Sequence, residues 1–92
     1  MNVYAFTDII ETCLKVDKSV LIVTGLARDE QVAASFPEAT VVSDHEALSG
    51  HFDLFVLEGD RWMYEGGRSA DWFHGVVTVR ANPGAAFIFT GR

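Results

Sequence analysis

The run Val20-Leu21-Ile22-Val23, closed by Thr24-Gly25, is the stretch that decides the fold of this chain. Four aliphatic residues in succession, three of them β-branched, predict a strand that buries side chains on both of its faces. Strands of that kind lie inside parallel sheets whose two faces are covered by helices. We therefore expect the sequence on either side of this run to supply covering helices and further strands.

Segments of helical and strand character alternate around the run. Residues 4–16 carry apolar side chains at helical spacing, with Thr7 or Asp8 as the capping residue. Downstream the pattern predicts a helix at 27–36 that Pro37 ends, a strand at 39–42, a helical turn at 45–48, a strand at 52–57, a loop at 59–67, a helix at 69–79 and a strand at 85–90. The alternation indicates an α/β fold, a minimal three-layer sandwich with a short, mostly parallel four-stranded sheet.

A second arrangement competes for the C-terminal half. Glu58-Gly59-Asp60-Arg61 has the composition of a hairpin turn between residues 54–57 and 62–64. Ala81-Asn82-Pro83-Gly84 has the composition of a second such turn, and the β-branched run at 76–79 favours that interpretation. The alternative fold is therefore α+β with C-terminal antiparallel hairpins, and on pattern alone the two arrangements are nearly even.

Length and charge limit the classes of function. The 92 residues are short enough to form a single domain, 1–92, and association into a homo-oligomer would help so small a domain bury enough surface. Thirteen acidic and seven basic residues give a net charge of −6, which argues against direct binding to nucleic acid because phosphates attract cationic surfaces. No basic leader and no apolar run of about 20 residues is present, so we expect a cytoplasmic protein that does not contact a membrane.

A further pattern favours the parallel arrangement. Residues 52–66 read Phe-Asp-Leu-Phe-Val-Leu-Glu-Gly-Asp-Arg-Trp-Met-Tyr-Glu-Gly, and Pro83-Gly84-Ala85 precedes the strand Phe87-Ile88-Phe89-Thr90. Upstream, residues 41–48 read Val-Val-Ser-Asp-His-Glu-Ala-Leu. In this order and spacing the segments resemble class I AdoMet-dependent methyltransferases, over residues 41–91. The resemblance implies a truncated, degenerate version of that Rossmann-like domain.

The resemblance also implies where a cofactor would bind. AdoMet or a nucleoside would contact the carboxyl ends of the strands, where ligands of open parallel sheets bind. The residues at those ends are Thr24, Gly25, Asp44 and Glu58. For Asp44 we prefer a simpler interpretation, a cap on the turn that follows it.

Departures from the family's pattern argue against an enzyme. The cofactor loop keeps one glycine, Gly25, among bulky neighbours, and the strand whose acid grips the ribose is missing. Arg61 stands where the family has a histidine. We therefore expect no cofactor and no catalytic residue, with AdoMet binding as the alternative.

No metal site is expected either. Glu58 and Asp60 offer hard oxygen ligands, but the pattern supplies no third one. His45, His51 and His74 do not follow the spacing of metal-binding histidines.

Large apolar side chains crowd the glycine-rich loop and the start of the helix after it. Aromatic residues and methionine are enriched at the centres of protein interfaces, so this segment is the candidate partner-binding surface. The residues expected to contact a protein partner are Asp60, Arg61, Trp62, Met63, Tyr64 and Trp72.

Three hypotheses follow for the function. The leading one is a non-catalytic protein-binding module or inhibitor on a degenerate methyltransferase-like scaffold, of the compact kind that phages and mobile elements encode. The second is a small AdoMet- or nucleoside-binding protein or methyltransferase remnant. The third is an acidic inhibitor that competes with nucleic acid for a basic protein.

Overall fold

The computed structural model describes residues 3–24, 28–43, 46–59, 61–64 and 66–90. Its sheet has four strands: β1 Val20–Thr24, β2 Thr40–Ser43, β3 Phe52–Leu57 and β4 Ala81–Phe89. All of the pairings are parallel, and the spatial order is β2-β1-β3-β4. The predicted α/β fold with a four-stranded sheet is confirmed, and the sheet is parallel throughout.

The alternative with C-terminal antiparallel hairpins is wrong. Two of the four segments that it required as strands, 62–64 and 76–80, are not strands: Arg61–Met63 and Thr78–Arg80 form 3₁₀ turns, and Phe73–Val77 form a π-helical turn. The β-branched residues at 76–79 adopt helical geometry because Val77 buries its side chain completely in the core. Burial here outweighs the local preference of these residues for strands.

One helix precedes the first strand and two lie between strands, all close to their predicted positions. α1 is Thr7–Lys15 and continues a 3₁₀ turn at Val3–Phe6, α2 is Asp29–Ser35, and α3 is Arg68–Trp72. Neither Thr7 nor Asp8 caps α1, because the chain enters this helix from the preceding turn and the Thr7 hydroxyl donates to the Tyr4 carbonyl at 2.8 Å. None of the described helices is both long enough and apolar enough to cross a membrane.

The helical turn predicted at 45–48 is wrong over its described part. Residues 46–49 have no helical structure. The Ser43 amide donates to the Glu46 carboxylate, and Trp72 Nε1 donates to the Glu46 carbonyl at 3.0 Å. The bond from Trp72 occupies the Glu46 carbonyl, which in a helix would accept a backbone amide four residues later.

The sheet separates two apolar cores. On one face α1 and α2 bury Ile10 and Val32 against the side chains of Ile22 and Val56. On the other face the helical residues 61–63 and 68–80 cover a second set of strand residues, which are Leu21, Val23, Phe55 and Leu57. Successive strand residues point to opposite faces, so the unbroken apolar runs of β1 and β3 feed both cores. The result is the predicted three-layer sandwich.

The pairing of β3 with β4 contains a large bulge. Phe52 lies opposite Ala81, whereas Leu54 lies opposite Ala86, so a step of two residues on β3 meets a step of five on β4. Within this bulge the Asn82 side-chain amide donates to Asp53 Oδ1 at 2.9 Å, and Asp53 Oδ2 accepts the Ser19 amide at 3.0 Å. Asp53 therefore ties the bulge of β4 to the residue that precedes β1.

These hydrogen bonds make the contribution of Asp53 to stability depend on pH. The Asn82 amide, followed by the Ser19 amide, holds the pKa of the Asp53 carboxyl below its ordinary value. A carboxylate with a lowered pKa stabilises the fold above its unfolded pKa of about 3.9, and this contribution is lost as the pH falls through the folded pKa. We expect Asp53→Asn to lower the melting temperature at neutral pH, and the deficit to shrink below about pH 4.

Thermal unfolding over a pH series measures this effect. Asp71→Asn, at an exposed position of α3, is the matched control and should show no such trend. A deficit for Asp53→Asn that is the same at neutral and strongly acidic pH would contradict the assignment.

Candidate functional site

The strand order reverses between β1 and β3, and this is where a ligand crevice is expected in an open parallel sheet. Thr24 ends β1, and Glu58 follows β3 directly. The Glu58 amide donates to the Val23 carbonyl at 2.9 Å, so the two strand ends lie side by side. The fold therefore brings together Thr24 and Glu58, two of the four residues predicted to contact a cofactor. Gly25 and Asp44, the other two, lie outside the described residues.

The carboxylate of Glu58 is bonded to groups of its own chain. Arg28 Nη1 lies 2.8 Å from Oε1 and 2.7 Å from Oε2, and the Val3 amide donates to Oε2 at 2.9 Å. Glu58 is 8% exposed. Both carboxylate oxygens are thus engaged, and the guanidinium and the N-terminal turn occupy the space that a ligand would need to reach them.

Thr24 places its side-chain hydroxyl at the paired ends of β1 and β3. Its side chain is completely buried, and its hydroxyl has no hydrogen-bond partner among the described residues. A buried hydroxyl without a partner costs roughly 1–3 kcal/mol. It does not face an open crevice, because no part of this side chain is exposed.

Trp62 and Trp72, predicted as contacts for a partner, are buried instead. Trp62 is 0% and Trp72 8% exposed, and their rings are in contact with centroids 5.3 Å apart. Trp62 Nε1 donates to the Glu58 carbonyl at 3.2 Å, and the Arg61 guanidinium lies 4.3 Å from the centroid of the Trp62 ring. Both tryptophans are part of the core in this structure, which leaves them little surface to offer a partner.

Met63 and Tyr64 have the opposite placement. They follow Trp62 directly and are 62% and 60% exposed. The two large exposed side chains thus follow a tryptophan that is buried and hydrogen-bonded to the Glu58 carbonyl, near the end of β3. Asp60, the first residue of the predicted surface, lies outside the described residues. Met63 and Tyr64 are thus the large apolar members of the predicted partner-binding set whose exposure is compatible with that role.

The described residues contain no group of three or more histidine, cysteine or carboxylate side chains that could hold a metal ion. Glu58 cannot serve as a ligand without giving up Arg28 and Val3. The histidines that are described, His51 and His74, are both exposed.

Two clefts on the described surface lie at the other end of the sheet. One of about 200 Å³ is lined by residues of α1 and by Phe36 and Pro37. Another of about 230 Å³ adjoins the first residues of β1, β2 and β3. Both are smaller than the roughly 300–1,000 Å³ of a typical small-molecule site.

The sequence interpretation missed the two groups that close the crevice. The sequence pattern does not predict that Arg28 or the Val3 amide would bond to Glu58. Arg28 is a cationic residue soon after β1, and its charge is the only feature of the sequence that indicates an ion pair with Glu58. A backbone amide 55 positions away in the chain carries no sequence signal.

No protein-family model, curated protein or solved structure matches this chain.

Proposed function

We propose that this chain is a non-catalytic protein-binding module or inhibitor, and that it binds its partner through Met63 and Tyr64. The observation that carries the proposal is that Glu58 and the residues after it differ in accessibility at the end of β3. The buried carboxylate there is satisfied by its own chain, while two large apolar side chains on the next turn remain exposed.

The closed crevice supports a role without a cofactor. A ligand at the strand ends would have to displace Arg28 and the Val3 amide from Glu58. Separating a buried carboxylate from its partners costs several kcal/mol, which the ligand would have to recover through new contacts. The same observation argues against AdoMet or nucleoside binding, and we propose no cofactor.

The exposed pair supports binding to a protein. Anchors that are already held in place lose less entropy on binding than flexible side chains do. Trp62 supplies that support from beneath, through its contact with Trp72 and its hydrogen bond to the Glu58 carbonyl. Methionine and tyrosine are also residue types that are enriched at interfaces.

An acidic inhibitor that competes with nucleic acid is less well supported. Glu58 is buried in an ion pair and so adds no negative charge to the surface. We further propose that the scaffold descends from a methyltransferase-like domain and that the gene belongs to a phage or mobile element. The order of the segments resembling that family, and the parallel sheet into which they fold, support this descent.

Retention of a partner by the immobilised chain tests the proposal. We expect the double change Met63→Ala and Tyr64→Ala to weaken retention at least tenfold, because one interface hot spot of about 2 kcal/mol corresponds to more than a tenfold change in affinity. Its melting temperature should stay close to that of the parent protein, because both side chains are mostly exposed. Val16→Ala with Val79→Ala is the matched control, since these valines are 60% and 62% exposed elsewhere on the surface.

Two outcomes would contradict the proposal. One is retention that the double change at Met63 and Tyr64 leaves intact. The other is a rise in melting temperature with AdoMet, since a ligand at about 100 times its dissociation constant adds about 2.7 kcal/mol of stability.

A further inference from the structure

Two clefts adjoin at the end of the sheet where the strands begin. The first lies between the last turn of α1 and the residues that follow α2, and the second continues from it to the first residues of β1, β2 and β3. Leu14 and Glu38 line both clefts, so a ligand in the first can extend into the second. We call the two clefts together the amino-end groove. Met63 and Tyr64 follow the other end of β3, so the groove is separate from the proposed partner surface.

The first cleft of the amino-end groove has an apolar floor. Phe36 is 2% exposed, and its ring stacks on Tyr4 with centroids 6.1 Å apart. Leu14 packs against the same core as Phe36, and Pro37 adds a ring whose backbone φ is restricted. Side chains that are already held in place lose little entropy when a ligand packs on them. The floor is therefore a preformed surface for a small hydrocarbon group.

Carboxylates outnumber ammonium groups around the amino-end groove. Glu11, Asp17 and Glu38 line it and are exposed, and none of their side chains forms an ion pair or a hydrogen bond with a described residue. Two lysines also line the groove, but Lys18 interacts electrostatically with Asp53, which lies outside the lining. One lysine is left to balance three carboxylates, so the rim attracts a positive charge.

The end of α1 adds to this attraction. α1 ends at Lys15, in the wall of the first cleft. The backbone dipoles of a helix sum to a partial negative charge at its carboxyl end, and that charge favours cations nearby. The groove therefore combines an apolar floor with a rim of negative potential.

We propose that the amino-end groove binds a small organic amine, which is an ammonium group on a hydrocarbon body. The hydrocarbon packs on Leu14, Phe36 and Pro37 in the first cleft, and the ammonium lies beside Glu38, where the two clefts meet. Each cleft alone is smaller than the site of a drug-sized molecule, and a ligand of this class is smaller too. A neutral molecule of the same shape gains the apolar contact without the attraction of the carboxylates.

Titration of the whole chain with phenethylamine, followed by NMR of the backbone amides, tests the proposal. We expect saturable shifts centred on Leu14, Glu38 and Thr40, with a dissociation constant of about 1 mM, an affinity within reach of so small a molecule. Phenethyl alcohol has the same hydrocarbon body without the charge, and methylamine has the charge without the body. Each of these two probes should bind at least about threefold more weakly than phenethylamine.

A matched pair of variants tests the position of the ammonium. Glu38→Gln removes the carboxylate that both clefts share and should weaken phenethylamine binding at least about threefold. Because Glu38 is exposed and its side chain bonds to no described residue, this variant should fold as the parent chain does. Glu30→Gln makes the same change in net charge at the first turn of α2, away from the groove, and should leave the affinity unchanged.

Four results would each overturn the proposal. The first is the absence of saturable shifts with phenethylamine up to about 10 mM, tenfold above the expected dissociation constant. The second is a set of shifts centred on another part of the chain. The third is phenethyl alcohol binding as tightly as phenethylamine, and the fourth is equal affinity of the Glu38→Gln and Glu30→Gln variants.

Discussion

Replacing Trp62 by alanine is expected to lower the free energy of unfolding by about 3–5 kcal/mol, the cost of removing a large aromatic side chain from a core. Trp62 has no exposed surface and contacts the ring of Trp72, so the cavity left behind would be enclosed. The substitution also removes the donor to the Glu58 carbonyl. Because the free energy of unfolding of a small domain is only about 5–15 kcal/mol, this change removes a large part of it.

Denaturant unfolding measures this loss. Met63→Ala changes the next residue along the chain, and its loss should stay within about 0.5 kcal/mol because that side chain is mostly exposed. Trp62→Phe should fall between the two, since it keeps part of the apolar contact and loses the hydrogen bond. If Trp62→Ala proved no more harmful than Met63→Ala, Trp62 could not be the support beneath the exposed pair.

Replacing Arg28 by alanine is expected to cost about 2–3 kcal/mol of unfolding free energy. Removing one partner of a fully buried ion pair costs about 3–5 kcal/mol, because the remaining charge stays buried. Solvent reaches Arg28, whose side chain is 35% exposed, and this lowers the expected loss. Glu58 would keep the Val3 amide as a donor but would lose its countercharge.

Denaturant unfolding with a matched control again provides the measurement. Arg68→Ala removes an exposed arginine from α3 and should change the stability by less than about 0.5 kcal/mol. Arg28→Met combined with Glu58→Met should recover part of the loss, because no charge is then left without a partner. Equal effects of Arg28→Ala and Arg68→Ala would show that the ion pair does not hold the crevice closed.

The candidate site was only partly predictable from the sequence. The strand pattern predicts that Thr24 and Glu58 lie at the carboxyl ends of strands. The parallel pairing of Val23 with Leu57 makes these two strands neighbours, and the pattern does not specify that pairing. The sequence shows that the loop is rich in aromatic residues, but it does not show which of them are buried and which are exposed. Trp62 turns into the core and Met63 away from it because a 3₁₀ turn spreads consecutive side chains around its axis.

The sequence by itself determined that β1 and β3 would be buried strands. The runs at 20–24 and 52–57 are apolar at every position but Thr24 and Asp53, and only a sheet covered on both faces can bury such strands. Tertiary structure decided that the β-branched residues at 76–79 are helical and do not form a strand. In the helical geometry Val77 is buried in the same core as Phe55. Tertiary structure also decided that Glu58 would be bonded to Arg28 and Val3. Contacts between residues 30 and 55 positions apart arise only when the folded chain brings them together, so no local pattern encodes them.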